Sequence, residues 1–133
     1  MSTSTVRVLV VDDYEPLRRF VCSLLAKRPG VQIVGEASDG LEAVRRAEAL
    51  KPDLIILDIR MPSLNGLEAC RRIRKLTPES KIIFLSQELS ADVQQECLNL
   101  GAWGYVVKAR TASELMAAVE AVLDGRQVFG SGL

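Results

Sequence analysis

Three stretches of nearly unbroken apolar residues punctuate the chain: Val6–Val11, interrupted only by Arg7, then residues 54–57 and residues 82–85. Short continuous apolar runs read as strands buried on both faces, the mark of central strands in a parallel sheet. Two weaker runs, at 31–37 and 103–107, are each broken by a glycine, Gly35 and Gly104, as edge strands often are.

Between the strands the apolar positions switch to helical spacing. Leu17, Phe20, Val21, Leu24 and Leu25 share one face after Pro16, and Pro29-Gly30 ends that helix. Asp39 and Glu42, three apart, predict a capping box before Ala43, Val44, Ala47 and Leu50. Asn65-Gly66 precedes a helix with Leu67, Cys70 and Ile73 inward and Arg71, Arg72, Arg74 and Lys75 outward, stopped by Thr77-Pro78. Residues 90–100 carry a thinner stripe, Val93, Cys97 and Leu100, with Gly101 as the cap. Thr111 and Glu114 predict a second capping box, and Leu115, Met116, Val119, Val122 and Leu123 line the last helix up to Gly125. The order βαβαβαβαβα implies parallel strands, right-handed crossovers and helices on both faces. With the second and fifth strands at the edges, the expected fold is α/β, a flavodoxin-like three-layer sandwich with strand order 2-1-3-4-5.

Composition narrows the chemistry. The 133 residues, 48% apolar, suit one domain. The 17 basic and 17 acidic residues balance, which gives no sign of a standing polyanion partner. No apolar run approaches the ~20 residues of a membrane span. The polar start, Met1 to Thr5, predicts no secretory leader. Cys22, Cys70 and Cys97 are isolated, without metal spacing or a disulfide framework, so they read as core filler in a reducing cytoplasm. The chain has no histidine, which removes imidazole catalysis and histidine metal sites.

On its own, Asp58 at the end of the 54–57 run is either a turn residue or a reactive acid. The other strand ends decide between the two. Asp12 and Asp13 follow the first strand, Ser86 the fourth and Lys108 the fifth. Parallel strands bring these ends to one edge, so three carboxylates, a hydroxyl and an ammonium meet in one crevice. Close carboxylates repel unless a cation neutralises them, and Mg²⁺ suits such oxygen ligands beside a phosphate. A carboxylate can be a nucleophile that forms an aspartyl phosphate, with a metal, a Lys and a hydroxyl stabilising the developing charge.

This set resembles the receiver domain of two-component response regulators. The residues that carry the likeness are Asp12-Asp13, Asp58 within residues 57–62, Asn65-Gly66, Ser86 and Gly104-Tyr105-Val106-Val107-Lys108. The resemblance runs from about Val6 to Gly125. It implies that Asp58 is the phosphoacceptor and that Mg²⁺ is held by Asp13, Asp58 and the Arg60 carbonyl, with Asp12 acting through water. It further implies that Ser86 and Lys108 contact the phosphoryl group and that Tyr105 is a rotating switch. The implied phosphodonor is a histidine kinase or phosphotransfer protein. The implied output is homodimerisation or control of an effector through the face of the fourth helix, fifth strand and fifth helix. Residues 101–125 are similar to the NarL/FixJ type, many of which bind DNA through an added helix-turn-helix domain. No such domain fits in residues 126–133, so the chain reads either as a single-domain receiver, spanning 1–125 with a short tail, or as a receiver whose tail, 126–133, begins a linker to an output domain, the second being favoured.

Two positions depart from the family pattern. Gln87 stands where a small residue usually follows the Ser/Thr, and would either crowd an incoming phosphodonor or hydrogen-bond the phosphoryl group. Lys108-Ala109 replaces the common Lys-Pro, which predicts a trans bond and a differently shaped loop. Arg60 and Glu88 lie two residues past Asp58 and Ser86; the resemblance implies that these positions flank the phosphoryl group and influence its loss, and the two are expected to form an ion pair. Two other functional classes share part of this pattern. A haloacid-dehalogenase-like phosphatase would need Asp-x-Asp where Asp12 and Asp13 are adjacent, whereas a receiver catalyses only its own phosphorylation and dephosphorylation. A phosphorylation-independent interaction module would not need the intact charge set.

Overall fold

Strands that are apolar on both faces need cover on both faces, and alternating helices supply it. A computed structural model describes residues 5–129. The polar N-terminal stretch through Ser4 and the tail from Gly130 lie outside the described residues. The strands are β1 (Val6–Val11), β2 (Val31–Ala37), β3 (Leu54–Asp58), β4 (Lys81–Ser86) and β5 (Gly104–Val107). The helices are α1 (Glu15–Ala26), α2 (Gly40–Leu50), α3 (Gly66–Leu76), α4 (Ala91–Asn99) and α5 (Thr111–Leu123). All strand pairs are parallel and the order is β2-β1-β3-β4-β5, as expected.

Side chains alternate across each strand and so divide the core in two. Leu9, Val11, Ile55, Leu57, Ile82, Phe84 and Tyr105 pack with Ala43, Ala47, Cys70, Ile73 and Cys97 of α2, α3 and α4. Val8, Val10, Leu54, Ile56, Ile83, Leu85 and Val106 pack with Val21 and Leu25 of α1 and Leu115, Val119 and Val122 of α5. Every residue of β3 is buried, including Asp58.

Of the two predicted capping boxes, the one at Asp39 forms its N-cap bond and the one at Thr111 does not, while Asn65 and Ser90 cap two further helices. The Asp39 side chain accepts from Glu42 N at 2.8 Å, Asn65 from Glu68 N at 3.0 Å and Ser90 from Val93 N at 3.3 Å. Thr111 is not an N-cap. A 3₁₀ turn, Lys108–Arg110, runs straight into α5, which makes Thr111 the first helical residue. Its hydroxyl donates back to the Lys108 carbonyl at 2.7 Å, and Glu114 faces Arg110 instead. The Lys108–Ala109 bond is trans, as expected without proline. Within the described part of the tail, Val128 pairs in parallel with Gly104 on the outer edge of β5.

Gly66 fixes the approach of α3 to the end of β3. Its N–H donates to the Ile59 carbonyl at 2.6 Å, and a Cβ there would lie 2.0 Å from the Asp58 carbonyl oxygen. The atom in the way is backbone of the buried central strand, so relief requires moving α3. Gly66→Ala is expected to destabilise the fold by about 3 kcal/mol, as overpacking does. Urea unfolding would measure it, and a loss of only a few tenths would contradict the close approach.

Candidate functional site

The ends of β1, β3, β4 and β5 meet at the carboxyl edge of the sheet. There Asp13, Tyr14, Leu17, Asp58, Arg60, Ser86, Gln87, Lys108 and Ala109 line a crevice of about 670 Å³. Asp12 and Asp58 are 2% and 3% exposed, whereas Asp13 lies open to solvent. Lys108 Nζ is 3.1 Å from Asp12 Oδ2 and 3.1 Å from Asp58 Oδ1. Asp12 Oδ1 accepts from Tyr14 N at 2.9 Å, which holds the turn into α1. Asp58 Oδ2 is buried and has no hydrogen-bond partner among the described residues.

Burial and then the nearby Asp12 carboxylate push the Asp58 carboxyl up to about 7, against the pull of Lys108. Burial works against the Lys108 ammonium too, but Asp58 and Asp12 outweigh it and hold its pKa above the usual lysine value. The site is therefore short of positive charge. Asp12, Asp13 and Asp58 each offer a carboxylate oxygen, and these lie within 4.8 Å of one another. A partnerless buried carboxylate oxygen in an all-oxygen acidic set fits a hard divalent cation such as Mg²⁺. Arg60 lines the same crevice.

Ser86 is buried at the end of β4, and its hydroxyl oxygen accepts from Glu88 N at 3.2 Å. The Tyr105 ring is buried and points inward, with its hydroxyl donating to the Glu88 carbonyl at 2.6 Å. Burial raises the Tyr105 phenol. Arg60 and Glu88 do pair, across the mouth of the crevice. Gln87 is exposed on the rim. Every site residue expected from the sequence thus lies in the crevice or one contact from it.

Tyr14, Leu17 and Ala109 are wall residues that sequence reasoning did not assign to the site. Leu17 reads as core by its helical spacing, yet it stands in the first turn of α1, where the helix passes the end of β1. Tyr14, directly after the acid pair, carries the available signal. The cysteines behave as filler: burial pushes Cys70 and Cys97 up to about 12 and Cys22 to about 11, which makes them inert.

Residues 8–120 match the family described as response regulator receiver domain. A protein of Pseudomonas aeruginosa named as a transcriptional regulator is 42% identical over 126 residues, which cover 95% of this chain and 60% of that protein. The response regulator protein VraR of Staphylococcus epidermidis is 34% identical over 124 residues, covering 93% of this chain and 59% of its own length. The chain therefore spans about 60% of the length of these relatives. Among solved structures, a LuxR-family two-component response regulator from Aurantimonas sp. SI85-9A1 superposes with a TM-score of 0.89 at 34% identity, covering 94% of this chain and 89% of that one.

Charge on Asp58 opposes folding when no cation is bound. Its folded pKa lies above the ordinary carboxylate value of about 4, so the penalty is absent at low pH and grows as pH rises through about 7. Asp58→Asn keeps an acceptor for Lys108 and removes the charge. Without divalent cations it is expected to be more stable than the wild type at about pH 8, with the gap closing towards about pH 4. Denaturant unfolding across that range checks it, and a gap independent of pH would count against a strained carboxylate.

Proposed function

Because this chain belongs to the response regulator receiver domain family of two-component signalling, we propose that it is a switch thrown by phosphorylation of Asp58. The observation that carries this is the Asp58 carboxylate itself: buried, lining the crevice, with one oxygen facing Lys108 and the other without a hydrogen-bond partner among the described residues. The phosphodonor is a phosphohistidine on a histidine kinase or phosphotransfer protein. An Asp58 oxygen attacks phosphorus, the P–O bond forms as the P–N bond breaks, and the electron pair leaves with the imidazole. Lys108 stands to meet the phosphoryl oxygens by charge, and the Ser86 hydroxyl to donate to them. Mg²⁺, held by Asp13, Asp58 and the Arg60 carbonyl with Asp12 acting through water, would supply the remaining positive charge. The chain turns over no separate substrate and catalyses only its own phosphorylation and dephosphorylation.

The output in this reading is the face of α4, β5 and α5, where Tyr105 joins the β4–α4 loop to β5. A change there would control dimerisation with a second copy or an output domain. DNA would be reached only through such a domain, outside this chain, in a cytoplasmic protein. No helix among the described residues is long and apolar enough to cross a membrane.

Acetyl phosphate with Mg²⁺ should add one phosphoryl group to the intact mass of the wild type and none to Asp58→Asn. A wild type that stays unmodified would sink the proposal. The Arg60–Glu88 pair should tune how fast water removes that group. Arg60 is 74% exposed, so the pair is worth no more than about 1 kcal/mol, or up to about fivefold in rate. Dephosphorylation rates of Arg60→Ala, Glu88→Ala and the double variant form the cycle, and strict additivity would deny coupling.

A further inference from the structure

The outer edge of β5 is covered by the tail. Beyond α5 the chain reverses at Gly125, whose φ of +85° suits glycine, and Val128 comes to lie beside Gly104. Val128 N–H donates to the Trp103 carbonyl at 2.9 Å, and the Val128 carbonyl accepts from Tyr105 N–H at 2.9 Å. The neighbouring side chains divide between the two cores: Val128 joins the α1/α5 cluster, and Phe129 joins the cluster that contains Tyr105. Gly104 leaves room for this, since a Cβ there would stand 3.2 Å from the Val128 carbonyl oxygen. Trp103 is itself anchored, with its N–H on the Ile82 carbonyl at 2.8 Å and its ring 4.3 Å from the Lys81 ammonium.

We propose that residues 126–129 form a latch on β5 that docks cooperatively with the inward Tyr105 ring, so that the state of the Asp58 crevice sets how firmly the tail is held. Tyr105 is the join. Its hydroxyl holds the Glu88 carbonyl, its backbone N–H holds Val128, and its ring shares a cluster with Phe129. Glu88 in turn donates its N–H to Ser86 and pairs with Arg60, both on the crevice wall. A bridge of two backbone hydrogen bonds is weak alone, so its occupancy follows the side chains around it. Filling the crevice fixes Ser86 and the Glu88 segment, and this steadies the ring and the latch. By linkage, a docked latch favours the inward ring by the same factor. The link from the crevice rests on the phosphoacceptor reading; the link between Tyr105 and Val128 does not.

Amide hydrogen exchange followed by NMR tests both links. Tyr105→Phe keeps the ring and removes one hydrogen bond of about 1 kcal/mol. In the unphosphorylated protein it should speed Val128 exchange about fivefold and leave β1 amides unchanged. Unaltered Val128 exchange would overturn the latch. Adding beryllofluoride and Mg²⁺ should slow Val128 exchange in the wild type by about threefold or more, and much less in Tyr105→Phe. Fluorine NMR of the same sample reports binding. Bound beryllofluoride with unmoved Val128 exchange overturns the crevice link. Failure of beryllofluoride to bind overturns the phosphoacceptor reading instead, and the first comparison then still decides whether ring and tail are coupled.

Discussion

One ammonium, Lys108, stands between two buried carboxylates, and the placement of the whole sheet edge serves that contact. Val11 of β1 pairs in register with Leu57 of β3, so the next residues, Asp12 and Asp58, fall side by side. Lys108 follows β5, with β4 in between. Strands lie about 4.8 Å apart, so the gap from β3 to β5 is close to 10 Å and needs a long side chain to cross it. Removing the ammonium would leave two buried negative charges uncompensated, among the more destabilising defects a core can carry. Even with it, negative groups outnumber positive ones. Burial, with the Asp12 carboxylate beside it, keeps the Asp58 carboxyl raised, and one of its oxygens has no hydrogen-bond partner among the described residues.

The rest of the architecture holds those strand ends still. β1, β3 and β4 are apolar on both faces, and each face packs on its own set of helices. A slip of one residue would exchange the two faces and move every terminal polar group, so register and site are specified together. Gly66 adds a lock, because α3 approaches the β3 backbone more closely than any side chain permits.

The same logic explains what could be read in advance. Continuous apolar runs ending in a polar residue identified the central strands, and the parallel order then brought Asp12, Asp13, Asp58, Ser86 and Lys108 together. The Arg60–Glu88 pair was legible because equal offsets from neighbouring strand ends imply proximity. What escaped lacks a local signature. Thr111 and Glu114 have capping-box spacing, yet the 3₁₀ turn before them supplies helical geometry earlier, so the spacing goes unused. Val128 gives no sign of its pairing, because one residue added to a strand edge creates neither period nor alternation. Leu17 serves the core pattern and the crevice wall at once, and periodicity reports only the first.

Tyr105 shows why the β4–α4 loop matters more than its side chains suggest. The acceptor for its hydroxyl is a backbone carbonyl, so the bond reads the path of the chain at Glu88 and not the identity of that residue. The Glu88 N–H reports to Ser86 and its carboxylate to Arg60. One peptide segment therefore senses two walls of the crevice and presents a single acceptor to the ring. Substitution at residue 88 would alter the charge pairing and leave that acceptor in place. In the proposed latch, the link between crevice and β5 is in this sense a matter of backbone position, and side-chain variation at the rim would change the charge pairing without removing that acceptor.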